Sequence, residues 1–268
     1  MSATRVALTA GFNRSIPSEA LAERLHRSGV TVVGVLVVSA MNLTRIRSMI
    51  RQRGLDAVIR KFCGSLASDR PHAKAALYSP VREHLKRYEI HPVGLRAWGH
   101  KHGVPICGVG DLNGDVAIRS ITRWRPDAVV YTGGGILRNQ FLQACPPVIN
   151  AHAGPLPEIR GMNAAEWSAM LGCRSEVTVH FIDRGIDTGL AIRSIPYERA
   201  SCSSVEQLRE RAVVAGVEGL HDVVQSKAFE HRGLRQPPTA APHRQCFIMA
   251  PALVEILSSR LNPTARGI

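Results

Sequence analysis

The sequence lacks the long apolar runs of membrane proteins. No stretch of the 268-residue chain approaches the roughly 18 to 20 uncharged apolar residues that a spanning helix needs. The apolar start from Val6 to Ala10 is also too short for the core of a secretory signal. We therefore expect a cytoplasmic protein with no membrane span. With 45% hydrophobic residues, the chain can still bury a core of ordinary size.

Cysteine is sparse and shows no pairing pattern. The six cysteines form no C-x-x-C spacing, and they stand at positions 63, 107, 145, 173, 202 and 246. This scatter argues against a zinc site and against a disulfide framework. We expect reduced thiols with structural roles.

Acidic residues are outnumbered. The 34 Lys and Arg exceed the 21 Asp and Glu, and the formal net charge is +13. Such a balance suits a polyanionic partner such as nucleic acid, a phosphorylated ligand or an anionic membrane surface. Proteins encoded by GC-rich genomes are also often rich in arginine, which gives the same excess of positive charge. Residues 42–64 are predicted as basic amphipathic helices, which either contact an anionic partner or pack on a sheet with a solvated face; we favour the second interpretation.

Apolar strands alternate with amphipathic helices along the chain. The predicted strands are 5–10, 31–38, 104–109, 127–131, 148–151, 177–182 and, antiparallel to it, 190–197. The predicted helices are 18–28, 42–64, 81–88, 114–123, 135–145, 162–171, 203–225 and 252–261. Strands that read as continuous apolar runs are typical of parallel sheets buried on both faces. The pattern predicts an α/β fold with a Rossmann-like, mostly parallel sheet flanked by helices.

Asn150 and His152 stand two residues apart at the end of a predicted strand. Their side chains therefore project to the same side, where the chain enters a loop stiffened by Pro155 and Pro157. Open α/β sheets bind their ligands at such strand ends. An amide and an imidazole in this arrangement can act on one reacting carbonyl, although an isolated pair of this kind more often caps a turn.

A second segment supplies a carboxylate. Asp187 follows the strand that contains His180, in a loop with glycines at 185 and 189, so it is free to approach His152. A carboxylate beside an imidazole raises the pKa of the imidazole and orients it, which suits a histidine that moves a proton near neutral pH. We expect His180 itself to pack or to support the site.

These segments together resemble one family. N-x-H at 150–152, P-L-P-x-x-R-G at 155–161, Trp167 and V-H-F-I-D-x-G-I-D-T-G at 179–189 are similar to the folate-dependent formyltransferases. That family includes glycinamide ribonucleotide transformylase, methionyl-tRNA formyltransferase and the sugar N-formyltransferases. The resemblance covers about 100–197 well, 1–40 loosely and 41–99 hardly at all.

The resemblance implies the formyltransferase fold. We expect a catalytic domain over 1–200 with a helical insertion at about 41–99, followed by a short helical carboxy-terminal extension over 201–268. We also consider a homodimer through the carboxy-terminal helices.

The resemblance also implies a reaction. Asn150, protonated His152 and Asp187 would activate the formyl group of 10-formyltetrahydrofolate, with no metal. Two loops would hold the pterin, through Gly134, Gly135, Ile136 and Leu137 in the first and Ile182, Asp183 and Ile186 in the second. The glycines alternatively form a helix-entry turn or bind phosphate. Gly154 and Arg160 are candidate contacts to the acceptor, although a structural salt bridge is an equal explanation for Arg160.

The expected acceptor is a small anionic amine. Methionyl-tRNA formyltransferase carries a carboxy-terminal β-barrel that grips tRNA, and residues 205–268 are too short and too helical for one. Nucleic acid is therefore disfavoured, with tRNA still open. The favoured acceptor is the amine of an amino-sugar nucleotide or of a similar biosynthetic intermediate. The alternatives are methionyl-tRNA, hydroxyornithine, hydrolysis of the formyl-folate, and a non-catalytic folate- or nucleotide-binding scaffold.

Overall fold

A computed structural model describes residues 3–38, 79–230 and 244–262. The basic helices predicted at 42–64 lie outside these residues, as does most of the insertion expected at about 41–99. None of the helices in the described part of the chain is both long enough and apolar enough to cross a membrane.

The described strands form two sheets. The strands are β1 (Arg5–Ala10), β2 (Thr31–Val38), β3 (Ile106–Val109), β4 (Ala128–Tyr131), β5 (Val148–His152), β6 (Ile159–Gly161), β7 (Glu176–Phe181), β8 (Ala191–Pro196) and β9 (Arg244–Cys246). The larger sheet has the order β3-β2-β1-β4-β5-β7-β8, and β6 pairs with β9 in the smaller one. Strands β1 to β5 are parallel, whereas β7 and β8 are antiparallel to their neighbours. The predicted mostly parallel sheet is confirmed.

Helices flank the larger sheet on both faces. They are α1 (Ile16–Arg27), α2 (Pro80–Arg87), α3 (Leu95–His102), α4 (Asp115–Trp124), α5 (Asn139–Ala144), α6 (Ala164–Met170), α7 (Val205–Gln225) and α8 (Pro251–Leu261). The side chains of alternate residues of β1 point to opposite faces of the sheet. Val6 and Leu8 pack with α1 and α7, while Ala7 packs with α4 and α5. Burial on both faces explains why the strands are apolar without alternation.

The helix predicted over 135–145 is wrong at its start, because α5 begins only at Asn139. Gly133, Gly134 and Gly135 all have positive φ, which a right-handed helix does not allow. The Tyr131 hydroxyl also donates to the Gly135 carbonyl and accepts the Gly135 N–H. The three glycines therefore form a loop that side-chain contacts hold away from helical geometry.

Helix α7 belongs to the core of the fold. It begins after Ser204, whose hydroxyl accepts the Gln207 N–H at 3.2 Å. Its apolar face packs on β5, β7 and α1. The domain boundary expected near residue 200 stays a prediction, and α7 lies on the same sheet as the elements before that boundary.

An ionic network joins α2 to α1 and α7. Glu218 of α7 contacts Arg24 of α1 at 2.8 Å and His84 of α2 at 3.3 Å, and it accepts the Tyr88 hydroxyl at 3.2 Å. Burial alone would raise the pKa of Glu218, but the hydrogen bonds from His84 and Arg24 lower it to about 2. The carboxylate is therefore charged at neutral pH and holds three helices together.

We expect Glu218→Gln to lower the free energy of unfolding by roughly 2 kcal/mol, because the charge-assisted contacts of a partly buried carboxylate are lost. Urea denaturation at pH 7 measures this change. Glu255→Gln, an exposed position on α8, is the matched control and should shift the value by less than roughly 0.5 kcal/mol. Equal effects of the two substitutions would contradict the role of the network.

Candidate active site

Strand β5 presents Asn150 and His152 at its carboxyl end. The strand lies between β4 and β7, and its register places Asn150 beside Tyr131 on one side and His180 on the other. The Asn150 Nδ2 lies 3.2 Å from the His180 Nε2. The antiparallel pairing of β5 with β7 therefore adds His180 to the site.

His152 is buried, and both of its ring nitrogens face oxygen atoms. Nε2 lies 2.9 Å from the Ile159 carbonyl, and Nδ1 lies 3.3 Å from the Asp187 Oδ2. Burial lowers the pKa of His152, and the nearby Asp187 and Ile159 oxygens offset this only in part. The resting ring is therefore neutral, in contrast to the protonated ring expected from the sequence. A neutral ring has one N–H for two acceptors, so a proton that the ring takes up would meet an oxygen that is already in place.

Asp187 ties three parts of the site together. Its Oδ2 accepts the Gly161 N–H at 2.8 Å as well as facing His152, and its Oδ1 lies 3.6 Å from the His180 Nε2. Asp187 has a φ of 53°, which is uncommon for a residue other than glycine. Asp183 shapes the same loop, because its carboxylate accepts the Gly185 N–H and the Thr188 hydroxyl.

His180 orients the Asn150 amide. It is buried, and its Nδ1 lies 2.8 Å from the Phe181 carbonyl. Burial, helped by the neighbouring His152, lowers the pKa of His180 to about 4. A neutral ring that donates from Nδ1 leaves Nε2 as an acceptor for the Asn150 amide. One N–H of Asn150 is used in this way, and the other has no partner among the described residues, so it is available to a ligand.

The residues predicted to hold a pterin are divided by the structure. Ile182 and Asp183 line a cavity of about 430 Å³ together with Leu142 and Val148. Leu137 is buried in the apolar cluster against which Ile182 packs. The other predicted residues do not line that cavity: Gly134, Gly135, and the exposed Ile136 and Ile186.

A larger cavity of about 530 Å³ opens beside Asn150 and His152. Its wall comes from the start of α1, the loop after β4, and helices α6 and α7. The two predicted acceptor contacts do not line it. Gly154 is buried behind His152, where a Cβ would lie 2.9 Å from that of Ala164, and Arg160 lies on β6. Instead, Glu166 and Arg209 provide its charged groups.

The carboxy-terminal segment supports the loop after His152, which was not predicted. Strand β9 pairs with β6, and the Cys246 carbonyl accepts the Met162 N–H at 3.0 Å. Beyond it, the Phe247 carbonyl accepts the Trp167 indole N–H at 2.8 Å. Strands of three residues leave too short a pattern for prediction. The only available signal was the apolar run 246–249 after the proline-rich stretch.

The described residues contain no group of three or more His, Cys, Asp or Glu side chains arranged to hold a metal ion. The polar centre of the site thus consists of one amide, two imidazoles and one carboxylate: Asn150, His152, His180 and Asp187. Such a set can donate hydrogen bonds to a carbonyl oxygen and can move a proton.

Comparison with known proteins places this site in a family. Residues 108–224, which include all four of these side chains, match the family model described as formyl transferase. These residues form a domain of the formyltransferase family. The family suspected from the sequence motifs is therefore confirmed.

Similar sequences are methionyl-tRNA formyltransferases. The protein of that name from Pseudomonas paraeruginosa is 26% identical over 160 residues, which cover 58% of this chain and 52% of that protein. The one from Geotalea uraniireducens is 27% identical over 155 residues, covering 56% of this chain and 49% of that protein. The chain thus spans about half the length of the relatives it matches.

Similar structures share the fold. A sugar N-formyltransferase from Shewanella sp FDAARGOS_354 has a TM-score of 0.55 at 11% identity, covering 96% of this chain and 87% of that one. The phosphoribosylglycinamide formyltransferase from Anaplasma phagocytophilum has a TM-score of 0.54 at 19% identity, covering 92% of this chain and 100% of that one. These likenesses agree with the predicted formyltransferase fold.

The neutral state of His180 predicts a pH dependence of stability. Because the pKa falls from 6.5 in the unfolded chain to about 4 in the fold, the unfolded state binds more protons between these values. The contribution of His180 is full above pH 6.5 and is lost as the pH falls to about 4, by roughly 3 kcal/mol.

Urea denaturation at pH 7 and pH 4.5 tests this prediction. His180→Asn should show a smaller loss of stability between the two values than the unaltered protein does. His91→Asn, at an exposed position, should keep the full loss. An unchanged pH dependence in His180→Asn would show that His180 is not the group responsible.

Gly161 predicts a second effect on stability. It has a φ of 91°, and a Cβ there would overlap the Cys246 carbonyl. We expect Gly161→Ala to cost more than about 2 kcal/mol of unfolding free energy, through backbone strain and separation of β6 from β9. Gly172→Ala is the control, because its φ is 71° but no atom lies within 4 Å. It should cost about 1 kcal/mol; equal losses in urea denaturation would exclude the overlap as the cause.

Proposed function

We propose that the protein transfers the formyl group of 10-formyltetrahydrofolate to an amine in the cytoplasm. The observation that carries this proposal is the convergence of Asn150, His152 and Asp187 at the end of β5. His152 and Asp187 lie 3.3 Å apart, next to a cavity that Asn150 and His152 line. The match of residues 108–224 to the formyl transferase family supports the same chemistry.

The reaction follows from the hydrogen bonds of the site. The nitrogen of a neutral amine attacks the formyl carbon, and the carbonyl oxygen becomes an oxyanion. The free N–H of Asn150 donates to that oxyanion. The Asn150 amide is already turned by His180, so it needs no reorientation during attack.

His152 moves the proton that the amine must lose. Its neutral ring takes the proton from the attacking nitrogen, and the charged ring then donates to both Ile159 and Asp187. The same proton passes to the folate nitrogen as the bond from that nitrogen to carbon breaks, directly or through water. The products are the formylated amine and tetrahydrofolate, and no net proton remains on the enzyme.

The folate is proposed to lie toward the loop that carries Asp183. The cavity of about 430 Å³ beside Ile182 is mainly apolar in its lining side chains, as a flat heterocycle requires. The folate would act as a co-substrate that leaves after each turnover.

The acceptor is proposed to be the amine of an amino-sugar nucleotide or of a similar anionic intermediate. The cavity of about 530 Å³ beside Asn150 and His152 has the size of a small-molecule site. Methionyl-tRNA is the second candidate, because the similar sequences bear the name methionyl-tRNA formyltransferase. Two further acceptors are to be tested. They are hydroxyornithine and water, and transfer to water would be hydrolysis of the formyl-folate.

We expect Asp187→Asn and Asn150→Ala each to lower kcat by about 100- to 1,000-fold, because each removes a group that acts on the transition state. Absorbance can follow conversion of 10-formyltetrahydrofolate in the presence of amino-sugar nucleotides, methionyl-tRNA, N-hydroxyornithine or no acceptor. Asp115→Asn, an exposed position on α4, should keep full activity.

The outcomes of that experiment separate the candidates. Turnover with one amine identifies the acceptor class, whereas formate release without an amine indicates hydrolysis. Near-normal kcat in Asp187→Asn would rule out the mechanism. Folate binding without turnover with any acceptor would favour the non-catalytic scaffold.

A further inference from the structure

A charged pair lies in the wall of the larger cavity. Glu166 of α6 is only 2% exposed, yet its Oε1 accepts the Arg209 Nε–H at 2.6 Å and the Asn163 amide at 2.6 Å. Arg209 stands on α7, and its side chain is 46% exposed. Both residues line the same cavity as Asn150 and His152.

The pair leaves most of the guanidinium unused. An arginine has five N–H donors, and Arg209 engages only its Nε–H in the described part of the chain. The two terminal nitrogens keep four donors in a planar fork, which matches the oxygens of a carboxylate or phosphate. Because the Glu166 carboxylate accepts the Nε–H, the guanidinium is already oriented. Binding a ligand would therefore cost little side-chain entropy.

The rest of the cavity wall contains no competing charge among the described lining residues. After Arg209, α7 contributes only small or apolar residues to this wall: Ala212, Val213, Gly216, Val217 and Leu220. A ligand in this cavity therefore meets the charged pair at one end and the carboxyl end of β5, at residues 150–153, at the other.

The helix sets the distance between the two ends. Gly216 packs on β5, since a Cβ there would lie 3.3 Å from that of Ala151, between Asn150 and His152. Arg209 is seven residues earlier on the same face of α7. Two turns of helix span roughly 10 Å, and the extended arginine side chain shortens this gap. The reacting amine and the group bound by Arg209 must then lie several bonds apart.

We propose that Arg209, positioned by Glu166, binds an anionic oxygen group of the acceptor, a carboxylate or a phosphate, that is remote from the reacting amine. This inference rests on the proposed formyl transfer. It assigns the acceptor class by chemistry: an amine at one end of a short molecule and an oxyanion at the other. An amine directly beside its own carboxylate is too short to reach both ends.

Matched acceptors test the contact. N-hydroxyornithine is compared with N-hydroxyputrescine, which lacks only the carboxylate, and a nucleotide-linked amino sugar with the free amino sugar. We expect Arg209→Met to raise KM for the anionic member of the productive pair by about 10- to 100-fold, the loss of a charge-assisted hydrogen bond. The change in kcat should stay within about threefold, and KM for the member without the anionic group should be unchanged.

Three further variants separate binding from structure. Arg209→Lys keeps the charge and should recover part of the loss. Glu166→Gln should raise KM less than Arg209→Met does, because it frees the fork without removing it. Arg193→Met removes an arginine of similar exposure, 41%, that pairs with Asp222 on the surface, and should change nothing. Equal losses for acceptors with and without the anionic group in Arg209→Met would overturn the proposal, since the pair would then only join α6 to α7.

A binding measurement keeps this inference distinct from the proposed reaction. Inorganic phosphate and glutarate are titrated into the unaltered protein and into Arg209→Met while Tm is followed. A rise in Tm that is lost in Arg209→Met supports the anion site even if no acceptor is formylated. If formylation proceeds and Arg209→Met changes neither KM nor the anion-dependent Tm, the anion site is wrong and the formyl transfer stands.

Discussion

The structure of the site depends on one partly buried carboxylate. Asp187 accepts a backbone N–H from Gly161 and faces the rings of His152 and His180. A charge removed from water is costly unless such partners surround it. Each partner comes from a different element, namely β6, β5 and β7. The loop that carries Asp187, the pairing of β5 with β7 and the position of β6 must therefore be right together, and an error in one of them leaves the carboxylate without its partners.

Helix α7 connects this centre to the rest of the molecule. Its middle packs on β5 at Gly216, its first turns carry Arg209, and its later turns carry Glu218, which holds α1 and α2. The same helix thus forms a wall of the cavity and the attachment point of the segment that follows residue 78. Because a helix is stiff over this length, the spacing between the cavity wall and the strand end is set by helical geometry rather than by flexible side chains.

Much of the fold was predictable because its signals are local. Buried parallel strands show as apolar, β-branched runs, and the predicted strand bounds agree with the structure to within one or two residues. The approach of Asp187 to His152 was expected from the glycine-containing loop that precedes it. What could not be predicted depends on distant contacts. The Tyr131 hydroxyl prevents helix at Gly135, burial leaves His152 neutral, and β9 pairs with β6 from about 85 residues away.

The short pairing of β6 with β9 can open locally while the rest of the fold stays intact, and this opening would disturb the site. Three residue pairs join the strands, and the same stretch of chain, Ile159 to Gly161, supplies a carbonyl to His152 and an N–H to Asp187. Such a small unit opens at a lower free energy than the seven-stranded sheet does. The arrangement of His152 and Asp187 at this site is therefore populated within the folded ensemble according to how tightly β9 stays paired with β6. Mutations or ligands that act on residues 244–249 would alter turnover by changing that population, without touching a reacting atom.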